Sequence, residues 1–580
     1  MSAPSFLHGY RDNPRGRRLT EITQPAKNLF IDSSGSAYTR PGFEDTDWDL
    51  GESGKQAFPL YVSQYNVIFF ALGTKIKYLD RDNADVVYDT GIALTDDLPH
   101  FLWFYQGIVY CTNGTDNVQS IAMTRLFADV STSGTTLQGL DGETYRFPSG
   151  GSVRINGTDE THSGKTDSTA TFTGMTLTQG YSAGALITQI EALSSIPKCL
   201  KFIEWKDSFN GIGDTSHSTN QLSKYSMFYS DFTDPTDATD VEDFATGLSG
   251  AHSISKSPLT NIFGTEGYQY IFSADDSFSI GVTDVNQTNG VRFPKLFSPK
   301  YGSINVNTAA DMDGHVVTLS PNKRIIRSHT SPTTGRLEPD EQFDAPVRDI
   351  LVNMDTSQTN ALVYYYKSRN LLVVQLQVDG QNVILIYDNN QIINSDGTSD
   401  GRWYPPIYGM NIKNLFEIED ELYATDPQDD TVYRMFYSST DDGGDIESCW
   451  AGGILEVDKG RATSDWGKWE VSGGITQAGE ITFLPKVTEK DGTPKTITDS
   501  GISFANTAEI GIVVAGEEVI GGSSSPYSFG LFDKSLQIAP AKGRSFQPIL
   551  KTSGDGRGLL VKSWKLPQVK YYSKLLVTTI

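Results

Sequence analysis

The chain is poor in the residues that most often carry chemistry or covalent bracing. Its 580 residues include three cysteines, Cys111, Cys199 and Cys449, none of them in a Cys-x-x-Cys pair. So sparse, odd and widely spaced a set excludes a disulfide framework, and three small buried side chains are expected instead. The seven histidines, at 8, 100, 162, 217, 252, 315 and 329, stand singly, without the close spacing of a histidine-based zinc site. No Gly-x4-Gly-Lys-Ser/Thr loop, no Gly-x-Gly-x-x-Gly opening a helix and no His-Glu-x-x-His occurs, so phosphate-cradling and zinc-protease motifs are absent. No apolar run approaches the ~20 residues that span a bilayer. Met1-Ser2-Ala3-Pro4 does not begin a charged-then-apolar leader, so synthesis in a cytoplasm is the expectation.

Positive charge is also short. The 47 Lys and Arg face 71 Asp and Glu, a formal net charge of −24. Gripping DNA requires clustered cations that displace counterions from phosphates, which this balance does not favour. It is compatible with a surface past which a duplex slides.

What the chain has in quantity is strand and turn material. There are 27 Tyr, 29 Phe and 55 Gly, a mixture suited to pleated surfaces joined by many tight turns. The length corresponds to roughly three to five domains, or fewer if repeats share one ring. Apolar segments alternate with polar turns to spell hairpins. Asn66 to Leu72 leads through Gly73-Thr74 to Lys75–Leu79, and Gly107–Tyr110 through Asn113-Gly114 to Val118–Ile121. Leu200–Trp205 is followed by Tyr225–Ser230. Further pairs begin near 268, 315, 371 and 421, spaced by about 50 residues, the length of one four-stranded propeller blade. The expected fold is all-β: a β-propeller of six or seven blades, with a stack of β-sandwiches as the alternative.

The expected domains are an N-terminal arm and strands over 1–57, propeller parts over 58–126 and 198–440, a small β-rich insertion over 127–197, and a C-terminal β-sandwich with a basic end over 441–580. The arm carries Arg11, Arg15, Arg17, Arg18 and Lys27 among prolines that discourage helix. Within the insertion, Ala183–Leu193 reads as a strand or a short helix, and 441–445 reads as a linker. Lys542, Arg544, Lys551, Arg557, Lys562, Lys565, Lys570 and Lys574 give an acidic chain a basic end, either a solvated face or a head-to-tail contact between copies.

No catalytic, cofactor or metal site is expected. Among 71 acidic residues some pair always suits a glycosidase, so the pattern carries no information. Thr398–Trp403 and Thr463–Trp469 approach the Ser-x-Asp-x-Gly-x-x-Trp turn of sialidase-like propellers but depart in spacing, and read as turns that bury a Trp. Asp231–Asp240 and Asp311–Gly314 contain only fragments of a calcium-loop pattern and read as solvated loops.

Three stretches resemble one family. Asn28 to Phe43, a strand, a Ser-Gly turn and Arg-Pro-Gly, is similar to the start of tail nozzle proteins of short-tailed bacteriophages. Met227–Thr236, a strand ending in Tyr-Ser and a loop with Asp-Pro, is similar to a segment of phage virion propellers, and Gly543–Phe546 resembles the nozzle C-terminal region. The resemblance implies a virion structural protein assembled in the host bacterial cytoplasm: a homo-hexameric ring in the tail, below the portal and adaptor. Such a ring retains the genome and passes double-stranded DNA during ejection without specific binding, and offers docking surface to fibres or spikes. The alternatives are a receptor- or glycan-binding tail protein and, further off, a polysaccharide-degrading propeller enzyme.

Overall fold

The computed structural model describes residues 10–11, 22–23, 25–31, 36–96, 98–140, 144–206, 208–213, 225–230, 250–285, 292–331, 333, 336–393 and 399–452. Beyond 452 it describes the strands 455–456, 461–475, 480–483, 486–488, 494–496, 499–503, 512–514 and 528–543, then 545–552 and 559–573. The acidic loop 231–240 and most of the basic arm lie outside the described residues.

Strands dominate and nearly all pair antiparallel, as the sequence leads one to expect of an all-β chain. Central strands carry the signature of burial on both faces: every residue of Val67–Leu72 is buried, which only an apolar run tolerates. Hairpins are set by turn chemistry. Asp379 and Gly380 between Leu371–Val378 and Gln381–Ile393 both have positive φ, 50° and 76°, the left-handed pair that matches the strands' twist.

Among the described residues, seven sheets follow one another along the chain, each built on an up-and-down run of four strands. The first holds Ala57–Val62, Val67–Leu72, Lys75–Asp80 and Val86–Ala93. The second begins with Phe101–Tyr105, Ile108–Thr112 and Val118–Arg125, and its fourth strand is Leu186–Leu193. The third holds Lys201–Glu204, Phe209–Ile212, Ser226–Tyr229 and Gly250–Ser253. Leu259–Gly264, Tyr268–Ser273, Ser277–Gly281 and Lys295–Ser298 form the fourth. Ala309–Met312, His315–Ser320, Arg324–Thr330 and Leu337–Asp340 form the fifth. Leu362–Tyr366, Leu371–Val378, Gln381–Ile393 and Ser399–Trp403 form the sixth. The seventh has three strands from its own stretch, Leu415–Ile418, Glu421–Thr425 and Val432–Ser438. Its fourth strand is Gly42–Asp45, from the other end of the chain.

From the first sheet to the sixth, the first strands of successive sheets lie side by side, and that of the seventh lies beside that of the first. Between the sixth and seventh sheets, the Gln375 amide both donates to and accepts from the Ile412 backbone. Apolar side chains fill the gaps between neighbouring sheets. Phe69, Ile76, Val109 and Met123 pack between the first and second, and Ile68, Phe70, Phe416 and Tyr423 between the first and seventh. Each sheet thus buries both faces only with the help of its neighbours.

Between the third and fourth strands of the second sheet the chain makes an excursion. Gly151–Ile155 and Thr158–His162 extend that sheet, and Thr136–Gln138, Gly164–Thr166 and Thr171–Thr173 make a small three-stranded one. Its core is anchored on Glu160, 1% exposed, whose carboxylate accepts from the Thr178 amide and hydroxyl and from the Tyr181 hydroxyl. Glu160→Ala should destabilise the protein by about 2 kcal/mol, because it strands the buried Tyr181 hydroxyl and removes the charge-assisted bonds from Thr178. Equilibrium denaturation of the pure protein measures this, and a change within about 0.5 kcal/mol would show the carboxylate to be dispensable.

The two chain ends are knitted together. Leu29–Ile31 pairs with Ala37–Thr39, which pairs with Leu559–Ser573, itself paired with Arg461–Ile475. Two further four-stranded sheets are built entirely from residues after 448. The stretch 441–445, expected to be a linker, instead supplies an anchor: Asp441 takes the forked ion pair of Arg40. Of the basic residues near the C-terminus, Lys551 pairs with Glu447 at 2.5 Å within the chain. The side chains of Lys542, Arg544, Arg557, Lys562, Lys565, Lys570 and Lys574 lie outside the described residues.

Candidate functional site

Where the seven first strands converge lies a cavity of about 940 Å³. Residues from all seven sheets or the connections leading into them line it, drawn from 54–56, 58, 73, 96, 98–100, 200, 258–260, 304–307, 356–360, 413 and 427–428. Its site follows from topology: connections from one sheet's last strand to the next sheet's first all arrive on the same side of the molecule. Phe58, Leu98, Pro99, Leu259, Ile304 and Val306 make part of the wall apolar, with asparagines, glutamines and threonines between them.

Two lysines stand out here because both are buried with no acidic partner among the described residues. Lys413 lines the cavity and is 8% exposed. Its Nζ donates to the Thr359 carbonyl at 2.7 Å and to Asn360 Oδ1 at 3.3 Å, both neutral acceptors. Lys201 lies directly behind the wall, 4% exposed, its Nζ donating to Asn261 Oδ1 and the Val306 carbonyl, each at 2.9 Å. The ammonium also faces the rings of Phe101 and Phe263 at 5.0 and 5.4 Å from their centroids. Burial disfavours the charged form, so Lys413 is pushed down to about 8 and Lys201 to about 7. His100, on the same wall and packed edge-on against Phe58, is likewise pushed down by burial to about 4, against weaker opposing effects of Asp116, Leu98 and Asp96, and is neutral at pH 7. Lys55 and Asp96 answer each other across 2.6 Å at the cavity's edge.

None of these residues is singled out by sequence reasoning. Lys201 sits inside a largely apolar strand, Leu200–Trp205, where a cation flanked by Leu200 and Phe202 is a usable signal of a buried lysine. Lys413 and His100 have no such signal, since the convergence of seven non-local strands alone buries them.

The sequence motifs weighed for chemistry resolve into structure. Trp403 is 2% exposed and donates from Nε1 to the Phe343 carbonyl, packed on Phe343 and Tyr387. The side chains of Trp466 and Trp469 lie outside the described residues. Asp311 caps its own hairpin, accepting from the Gly314 amide at 2.7 Å, and Asp313 accepts from Tyr365 and Asn389. Among the described residues, no group of three or more His, Cys, Asp or Glu is placed to hold a metal ion. The three cysteines are buried, and none is in a disulfide. No helix among the described residues is long and apolar enough to cross a membrane.

No family model and no curated protein matches the chain. Among solved structures, it is similar to an S. cerevisiae complex of a Dbp5 variant with Nup159, a Gle1 variant, IP6 and ADP. There the TM-score is 0.31 at 9% identity, covering 71% of this chain and 98% of that one. It is also similar to the N-terminal domain of Nup159, with TM-score 0.29 at 10% identity, covering 70% of this chain and 97% of that one. Both scores fall below the range that indicates a common fold.

Proposed function

We propose that this chain is a virion structural protein, a tail nozzle subunit of a short-tailed bacteriophage, built on a closed seven-bladed β-propeller. The observation that carries the reading is the position of the segment 28–43, one of the three stretches that resemble phage nozzle and virion propeller proteins. Leu29–Ile31 and Ala37–Thr39 join the sheet of the C-terminal strands, and the residues that follow, Gly42–Asp45, supply the last strand of the seventh sheet. One short segment therefore ties the ring of sheets to the C-terminal layers. That is the arrangement a load-bearing subunit needs, since a ring closed by pairing distant parts of the chain opens only by breaking a whole ladder at once.

The closed ring is supported by the side-by-side order of first strands from the first sheet to the sixth, by the Gln375–Ile412 bonds between the sixth and seventh, and by the first strand of the seventh lying beside that of the first. The net charge of −24 suits a wall past which DNA moves, because carboxylates repel phosphates and leave nothing for them to stick to. The role is mechanical, and partners are further copies of the chain, an adaptor or portal ring, and fibres or spikes. Purified particles should contain the chain at about six copies per tail, as symmetric rings require. Quantitative mass spectrometry of virions, with particle images of the neck, checks this; absence of the chain from the virion ends the reading.

A further inference from the structure

We propose that the cavity at the convergence of the seven first strands binds a small organic oxyanion, a carboxylate or phosphate carried on a compact carbon skeleton, with Lys413 as its direct partner. This goes beyond the nozzle reading and does not depend on it.

Several features of the wall point the same way. The Lys413 Nζ has three protons and two described acceptors, the Thr359 carbonyl and Asn360 Oδ1, so one donor remains for an occupant. Both acceptors are neutral, and no described carboxylate forms an ion pair with Lys413 or with Lys201. Lys201 behind the wall, with its value at about 7, adds to the same positive potential at and below neutrality. In a chain of net charge −24, acids are plentiful, yet among the described residues none is spent on these two cations. A buried cation without an acid is costly, and an anion arriving from outside removes that cost.

Other charges around the cavity do not cancel the potential. Lys55 and Asp96 neutralise each other, and His100 is neutral because it is buried. The volume of about 940 Å³ suits a small molecule, and Phe58, Leu259 and Ile304 offer apolar surface to a carbon skeleton. A bare inorganic ion would use the charge and waste the walls, so an organic anion fits better.

A pH signature follows. The anion binds the ammonium and not the free amine, so binding takes up a proton wherever Lys413 is partly deprotonated. With Lys413 at about 8 in the empty cavity, affinity should hold steady below that pH and fall up to tenfold per unit above it.

The test is titration calorimetry of the full chain with citrate, benzoate, glycerol 3-phosphate and inorganic phosphate, using benzyl alcohol and glycerol as uncharged controls. Saturable binding of at least one organic anion at millimolar concentration or below is expected, with the controls silent. Benzoate or citrate alone binding identifies a carboxylate site, and glycerol 3-phosphate alone identifies a phosphate site. Lys413→Met should weaken binding at least tenfold, while Lys413→Arg, which keeps the charge, should retain most of it. The pH profile on the unaltered protein guards against a variant that fails to fold. The proposal is overturned if no organic anion binds, if folded Lys413→Met binds as well as the unaltered chain, or if affinity does not fall above about pH 8.

Discussion

Replacing Arg40 with alanine is expected to cost about 3–5 kcal/mol of stability and to release the N-terminal strands from the seventh sheet. Arg40 has a fully buried side chain. Its guanidinium forks onto Asp441, with Nη1 to Oδ1 at 2.8 Å and Nη2 to Oδ2 at 2.6 Å, and Nη1 also donates to the Pro41 carbonyl at 3.1 Å. Truncation leaves the Asp441 carboxylate, 17% exposed, without its partner and opens a cavity the size of the lost side chain. The pair joins residues 401 apart, beside the ladder in which Gly42–Asp45 completes the seventh sheet.

Removing both charges with apolar residues, Arg40→Met with Asp441→Leu, should cost clearly less than the sum of the single changes, since neither then strands a buried charge. Gly42→Ala attacks the same joint sterically: a Cβ there would lie 1.8 Å from the Thr440 carbonyl oxygen, so the edge strand must move away. Urea unfolding measures the energies, and limited proteolysis reads the release of the N-terminal segment. A cost below about 1 kcal/mol for Arg40→Ala would mean that the fork does not hold the joint.

How much of this was legible in the sequence depends on how local each feature is. The hairpins near 67, 268, 315, 371 and 421 read directly, because each is an apolar run, a turn with Gly, Asp or Asn, and a second apolar run. The third sheet reads only in part. Phe209–Ile212, Phe-Asn-Gly-Ile, lies between the two strands that sequence reasoning placed in succession, and its glycine and asparagine mask it. That glycine is there for packing: a Cβ on Gly211 would sit 2.2 Å from the Phe228 ring. The completion of the seventh sheet by Gly42–Asp45 is invisible locally, since Gly-Phe-Glu-Asp has no strand periodicity and its partner is nearly four hundred residues away. The cavity is the same kind of feature. Lys413, in Asn411-Ile412-Lys413-Asn414, looks like an ordinary solvated turn lysine until seven strands converge on it.

Lys201 should make the protein more stable as pH rises above neutrality, against the usual behaviour of a surface lysine. Its folded value lies at about 7 and the ordinary one at 10.5, so between these the unfolded chain binds more protons than the folded one. Stability then increases with pH across that window, by up to about 1.4 kcal/mol per unit, and the full penalty applies below about pH 7. Lys413 acts with the same sign from about 8 upward. The window ends in practice near pH 9, because buried groups such as Cys111, whose thiol is raised from 9.0 by burial, begin to favour the unfolded state there.

Lys201→Met removes the buried charge but strands Asn261 Oδ1 and the Val306 carbonyl, which together cost about 2–4 kcal/mol. At pH 6 the charge penalty in the unaltered chain is about 5 kcal/mol, so the methionine variant should be the more stable by about 1–3 kcal/mol. At pH 9 the remaining penalty is about 2 kcal/mol, and the order should level or reverse. The two stability–pH curves therefore cross near pH 8, and urea denaturation at half-unit steps locates the crossing. Parallel curves would show that Lys201 is protonated equally in the folded and unfolded chains, and that the wall behind the cavity carries a solvated charge.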